Sequence, residues 1–107
     1  VCAALLPHAI RVNVRALRTR APEDEALGRY REIGRLLTGL ASAGEADAVR
    51  WIEDVCAALS VPPLSAYGLT HAQLPELLDK SAVSSSMKAN PIVLTRDEMQ
   101  EILVAAM

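Results

Sequence analysis

The sequence predicts an all-α fold, a helical bundle of about five helices within one domain, residues 1–107. Of its 107 residues, 51% are hydrophobic, mostly Ala, Leu and Val, but only 3% are aromatic. This composition favours helices, because sheets are enriched in β-branched and aromatic side chains. Apolar residues also recur at steps of three and four, which places them on one face of a helix. The β-like stretches at Val61 and at 92–94 each adjoin a proline.

The first apolar segment runs from Val1 to about Leu17 and contains Pro7. A proline inside a helix lacks the N–H and clashes with the preceding turn. The segment is therefore either two short helical pieces or one kinked helix, and Asn13 is a candidate end.

The next two segments each carry an apolar stripe. The second runs to about Leu40, with Gly39 as a candidate stop, and we expect its buried face to hold Leu27, Tyr30, Ile33, Leu37 and Leu40. Ser42 and Glu45 have the spacing of a capping box at the start of the third. Its expected stripe is Val49, Ile52, Val55, Cys56 and Leu59, and Pro62 and Pro63 end it.

The last two predicted helices have the most complete start signals. Thr70 with Gln73, and Thr95 with Glu98, match the capping box. Between these helices, helical patterning stops at Ser84–Asn90, and Pro91 keeps a helix from restarting at once. A segment of this kind is either a plain connection or a surface that meets a ligand.

Charge and cysteines limit the partners and the compartment. The net charge of −2 indicates neither a nucleic-acid nor a membrane partner. The arginines of the first third form either a solvated face paired with Glu23, Asp24, Glu25 and Glu32 or a phosphate-facing patch. Cys2 and Cys56 lie in apolar runs, so we expect buried free thiols and a reducing, cytoplasmic location. The apolar start at Val1 suggests a piece of a longer chain.

The residues themselves give no complete active site. His8 and His71 are widely separated, and no Cys-x-x-Cys or His-x-x-x-His spacing occurs. The glycines are too dispersed for a phosphate loop. We therefore predict no catalytic residue, no cofactor-binding residue and no metal ligand within these 107 residues.

The order of several motifs resembles the C-terminal part of the iron-containing alcohol dehydrogenases, which are related to dehydroquinate synthase. The similar segments span the chain and are Leu6-Pro7-His8-Ala9 through Asn13, Tyr30-Arg31-Glu32-Ile33, Pro63-Leu64-Ser65 to Gly68-Leu69-Thr70, and Ser86 to Asn90-Pro91 followed by Leu94-Thr95. Two positions depart from the family pattern. Ile92 replaces the arginine that commonly follows Asn-Pro, and Val12 replaces an aromatic residue.

The resemblance implies a C-terminal helical domain of a dehydroquinate-synthase-like fold. In the intact enzyme it implies hydride transfer between an alcohol or aldehyde and NAD(P), with a divalent metal, iron or zinc, as Lewis acid. The metal ligands and the nucleotide-binding glycines of such an enzyme would precede Val1. The 107-residue chain alone would therefore be inactive and would bind neither the metal nor NAD(P). Ser86, Met87 and Lys88 would be candidates for the substrate cleft.

Two other interpretations remain open at this stage. Maleylacetate reductase belongs to the same family and reduces an unsaturated keto acid, for which a cationic wall would be expected. A non-catalytic helical interaction module would explain the lack of ligands in another way. Because helices taken from a larger domain expose apolar faces, we also expect self-association.

Overall fold

The chain forms a set of helices joined by short connections. The computed structural model describes residues 2–107, without the side chains of Ser85 and Ser86. The helices are α1 (Cys2–Arg20), α2 (Glu25–Thr38), α3 (Glu45–Ala58), α4 (Leu74–Ala82), α5 (Ser85–Lys88) and α6 (Arg96–Ala106), with 3₁₀ turns at Leu64–Tyr67 and His71–Gln73. The described residues include no strand. Five of these helices have nine residues or more, so the predicted all-α bundle is confirmed.

Helix α1 continues through Pro7 as a single helix. Pro7 has no N–H for the carbonyl of Ala3, four residues earlier. The Sγ atom of Cys56 in α3 lies 3.8 Å from that carbonyl oxygen, as a weak donor. The predicted end at Asn13 is wrong, because Asn13 is buried in the middle of the helix.

Helices α2 and α3 form a closely packed hairpin. Gly39, in the left-handed conformation (φ 73°), ends α2 as predicted. The predicted cap at Ser42 is wrong. Helix α3 begins after Gly44, whose N–H donates to Asp47 Oδ2 at 2.7 Å, so Ser42 lies two residues too early to accept from the first turn.

The start signals of the last two helices are both found. Thr70 N–H donates to Gln73 Oε1 at 2.9 Å, but this opens a 3₁₀ turn, and α4 begins only at Leu74. At α6 the box is complete. Glu98 N–H donates to Thr95 Oγ1 at 3.1 Å, and Thr95 N–H donates to Glu98 Oε1 at 2.8 Å.

The core is organised around α1, which packs against α2, α3 and α6. Its Val12 and Leu17 are completely buried. The predicted stripes are wrong at three positions. Ile33 is 40% exposed within α2, Leu40 is 61% exposed and Leu59 is 72% exposed. Leu40 and Leu59 lie beyond the last residues of their helices, Thr38 and Ala58, and so leave the helical periodicity.

The cysteines are free thiols, but their predicted burial is wrong. Cys2 is exposed in the first turn of α1, and Cys56 is half-buried. Within residues 2–107, no helix is both long and apolar enough to cross a membrane.

Candidate binding cavity

A cavity of about 180 Å³ lies between α1, α4, α5 and α6. Its floor consists of buried residues, and its rim consists of half-buried ones. The floor is formed by Asn13, Leu78, Leu94, Ile102 and Leu103, and the rim by Leu5, Ala9, Ser81, Met87, Asn90 and Met99. Apolar side chains therefore form most of the wall, and the half-buried rim gives access from solvent.

Asn13 and Asn90 form a reciprocal pair of amide hydrogen bonds in the wall of this cavity. Asn13 Nδ2 donates to Asn90 Oδ1 at 3.0 Å, and Asn90 Nδ2 donates to Asn13 Oδ1 at 2.8 Å. Asn90 Nδ2 also donates to the carbonyl oxygen of Ile92 at 2.6 Å. Burying an amide costs free energy unless the amide is hydrogen-bonded. The two amides are therefore held together, and their hydrogen bonds fix the Ser84–Asn90 segment against α1.

The cavity retains some free hydrogen-bonding capacity. The two amide hydrogens of Asn90 are both used. Asn13 Nδ2 makes one hydrogen bond within the described residues, and an amide nitrogen carries two hydrogens. The Ser81 hydroxyl has no hydrogen-bond partner in the described part of the structure. Neither Asn13 nor Ser81 was predicted as a site residue from the sequence. The position of Asn13 in the middle of an apolar helical run was a signal that could have indicated a buried polar side chain.

The three predicted cleft residues have different surroundings. Met87 is half-buried and lines the cavity. Lys88 is exposed and lies in a neighbouring depression with Met87 and Met99. The side chain of Ser86 lies outside the described residues. The connection that contains them is not a plain loop, since it includes the four-residue helix α5.

An ion pair fixes the start of α6, which supplies one wall of the cavity, to the end of α1. Arg20 Nη1 and Nη2 donate to the two carboxylate oxygens of Glu98, each at 2.9 Å. Arg20 Nη2 also donates to the carbonyl oxygen of Val93 at 2.8 Å. The hydrogen bond from Arg20 lowers the pKa of the Glu98 carboxyl. The pair therefore holds α6 and the residues before it in register with α1.

The other arginines of α1 are also paired with acids on other helices. Arg15 lies 2.7 Å from Glu101, and Arg18 lies 2.8 Å from Glu45. Of the partners predicted from the sequence, Glu25 pairs with Arg29, at 3.4 Å. The arrangement favours a solvated, acid-paired face over a phosphate-facing patch, although most of the partners differ from those expected.

The two histidines occupy different environments. His8 Nδ1 lies 3.1 Å from Arg11 Nη1, and burial, then the Arg11 charge, lowers the pKa of its imidazole. His71 is exposed at the start of a 3₁₀ turn. Within residues 2–107 no three His, Cys, Asp or Glu side chains converge as metal ligands. The described residues therefore do not fit a metal ion by themselves.

The fold is that of an all-α helical domain. The family model of the Fe-containing alcohol dehydrogenase family, C-terminal, matches residues 1–107. This chain belongs to that family. Searches of the curated proteins and of the solved structures found no match.

Proposed function

We propose that the intact protein is an alcohol dehydrogenase that transfers hydride between an alcohol or aldehyde and NAD(P), with a divalent metal, iron or zinc, as a second cofactor. Residues 1–107 are its single C-terminal helical domain, and this domain alone is inactive. The observation that carries the proposal is the family match over residues 1–107. The same match favours an enzyme domain over a free-standing interaction module.

The Ser86, Met87 and Lys88 segment faces the substrate side of the cleft in this proposal. Its support is the position of Met87, half-buried in the wall of an apolar cavity, beside the exposed Lys88. Asn90 holds the segment in place through Asn13. The segment therefore has a fixed backbone, as a wall that positions a substrate requires.

The substrate is a neutral alcohol or aldehyde in preference to the anionic keto acid of a maleylacetate reductase. None of the described residues that line the cavity is charged. An apolar wall does not compensate for the desolvation of a carboxylate. Lys88, the cation within the segment, is exposed and does not line this cavity.

Steady-state turnover of the intact protein tests the proposal. The purified protein, loaded in turn with Fe²⁺ and Zn²⁺, is assayed with NAD⁺ and NADP⁺ against a series of primary alcohols. In the reverse direction it is assayed with NADH and NADPH against the corresponding aldehydes and maleylacetate. We expect reduction of one nucleotide by an alcohol, and none of this activity from residues 1–107 alone. Faster reduction of maleylacetate than of any aldehyde would replace the proposal with the reductase.

We also propose that residues 1–107 self-associate and that the protein is cytoplasmic. Leu36, in the last turn of α2, is 77% exposed, and Leu40, just beyond the helix, is 61% exposed. Exposed apolar surface favours association. Light scattering should show oligomers that are reduced in L36K/L40K, and a sharply monomeric parent chain would contradict this. Location is tested by cell fractionation.

A further inference from the structure

We propose that a second cavity, between α1, α3 and α6, is a covalent modification site at which the Cys56 thiol adds to a small neutral α,β-unsaturated ketone. The volume of this cavity is about 200 Å³. None of the described residues that line it also lines the cavity of Asn13 and Asn90. The modification needs neither a metal nor a nucleotide. The proposal therefore stands or fails separately from hydride transfer.

A thiol and an imidazole from different helices line this second cavity. Cys56 of α3 and His8 of α1 are both half-buried. The Cys56 Sγ atom lies 3.8 Å from the carbonyl oxygen of Ala3, so the sulfur lies against α1. Arg11 connects the same two helices, at 3.1 Å from His8 Nδ1 and 3.7 Å from Glu53. Glu53 precedes Cys56 by three residues and is its neighbour on the helix surface, so His8 and Cys56 share one seam.

The contact with Arg11 determines what the His8 imidazole can do. A guanidinium group can only donate hydrogen bonds, so His8 Nδ1 accepts and the hydrogen of the neutral ring lies on Nε2. Burial, and then the Arg11 charge, lowers the pKa of the imidazole and so favours this neutral form. A metal ion on Nε2 would move the ring hydrogen to Nδ1, against the guanidinium. His8 therefore offers an N–H donor, which suits a carbonyl oxygen better than a metal.

The rest of the wall sets the size and charge of the ligand. Apart from His8 and Cys56, the described lining residues are alanines, prolines and one valine. An ionic ligand would lose its hydration there without compensation. An apolar cavity of about 150 Å³ in another protein binds benzene, so this one holds a hydrocarbon ring with one carbonyl group. A cyclic unsaturated ketone combines such a body with an acceptor for the His8 N–H.

The reaction is an addition and needs no oxidant. The Cys56 thiol loses its proton to water, and the thiolate, which is the nucleophilic form, forms a bond to the β-carbon of the ketone. The π electrons of the C=C bond move toward the carbonyl group, and the enolate oxygen that develops accepts the N–H of His8. The α-carbon then takes a proton from water. The adduct therefore contains every atom of the thiol and of the ketone.

Labelling of the intact protein with 2-cyclohexen-1-one, a neutral ring of this size, tests the site without added metal or nucleotide. Peptide mass spectrometry follows the adduct at Cys56 and, as an internal reference, at Cys2, which is exposed and does not line this cavity. We expect the labelling rate of Cys56 to saturate with ketone concentration and that of Cys2 to rise linearly. A linear rate at Cys56, or no adduct there, would overturn the proposal.

Ala57→Leu tests whether the cavity binds the ketone before it reacts. Ala57 is exposed and lines the cavity, so leucine narrows the cavity and should raise the half-saturating ketone concentration about tenfold. Ala58→Leu is the matched control, because Ala58 is the next exposed residue of α3 and does not line the cavity. It should label like the parent. Equal half-saturating concentrations in the two variants would contradict binding in this cavity.

His8→Phe tests the hydrogen bond to the ketone oxygen. Phenylalanine keeps a ring but has no N–H, so labelling of Cys56 at saturating ketone should slow about fivefold, as expected for one neutral hydrogen bond. His8→Gln retains an N–H donor and should recover much of the rate. Methyl methanethiosulfonate has no carbonyl group, and it should label Cys56 equally fast in the parent and in His8→Phe. A parent-like ketone rate in His8→Phe, or equal slowing with both reagents, would overturn the assignment of His8.

Discussion

Arg20 and Glu98 join the end of the first helix to the start of the last. The two guanidinium nitrogens each lie 2.9 Å from one oxygen of the Glu98 carboxylate. The same carboxylate accepts the N–H of Thr95 at 2.8 Å and so caps the helix that carries it. One side chain therefore both starts α6 and sets its position against α1.

Replacing Glu98 by Gln should change how stability depends on pH. Since Arg20 lowers the pKa of Glu98 in the folded state, the unfolded chain binds more protons at acidic pH. The ionised Glu98 carboxyl stabilises the folded state fully at pH values above its unfolded pKa of about 4.3. This stabilisation is lost as the pH falls through the lower pKa of the folded state. Urea unfolding from pH 7 to pH 3 should show a smaller acid loss in Glu98→Gln than in the parent.

The cap itself should survive that substitution, because a Gln side chain can still accept from Thr95 N–H. Thr95→Ala is the complementary change. It removes the hydroxyl that accepts from Glu98 N–H and should cost about 1 kcal/mol at every pH. An acid dependence that is identical in Glu98→Gln and the parent would contradict the role given to the ion pair.

Gly34→Ala should destabilise the α2–α3 hairpin. A Cβ atom at Gly34 would lie 2.5 Å from the carbonyl oxygen of Gly44, and backbone must move to relieve that overlap. Overpacking of this kind costs about 1–3 kcal/mol. Gly28→Ala is the control, since a Cβ there meets nothing within 4 Å. It should stabilise the same helix by up to about 1 kcal/mol. A melting temperature raised equally by both changes would refute the close approach.

Asn13→Ala and Asn90→Ala should be strongly coupled. Each single change leaves the other amide without its partner and should cost about 1–3 kcal/mol. The double variant should cost clearly less than the sum, with an interaction energy of about 1 kcal/mol or more. Denaturant unfolding of the four proteins measures this. Additive losses would mean that the two amides do not act as a pair.

Local patterns predicted the helices well. The apolar periodicity and the capping box at Thr95 act within a few residues, so they are visible in sequence. The box at Thr70 is also formed, but it opens a 3₁₀ turn and α4 begins only at Leu74. The end of α2 at Gly39 is predictable for the same reason. Burial at Leu40 and Leu59 was wrong, because helix ends depend on where the chain turns away from its neighbours.

The cavity could not be predicted in the same way. Its two key amides, Asn13 and Asn90, are 77 residues apart in sequence. Asn13 looked like a helix end, because asparagine commonly stops helices. Only the packing of α1 against α6 shows that the residue is buried and needs a distant partner. The cleft position proposed for Met87 came from family resemblance, and no local pattern indicated it.

Transfer of an isotopic label tests the central claim, that the intact protein moves hydride between an alcohol and a nicotinamide. The protein would be incubated with NAD⁺ or NADP⁺ and a primary alcohol deuterated at C1, and the reduced nucleotide analysed by mass spectrometry. We predict one deuterium on the nicotinamide ring for each aldehyde formed. Aldehyde formation without deuterium in the nucleotide would contradict the account. So would a failure of the alcohol to reduce NAD⁺ or NADP⁺ with protein loaded with either Fe²⁺ or Zn²⁺.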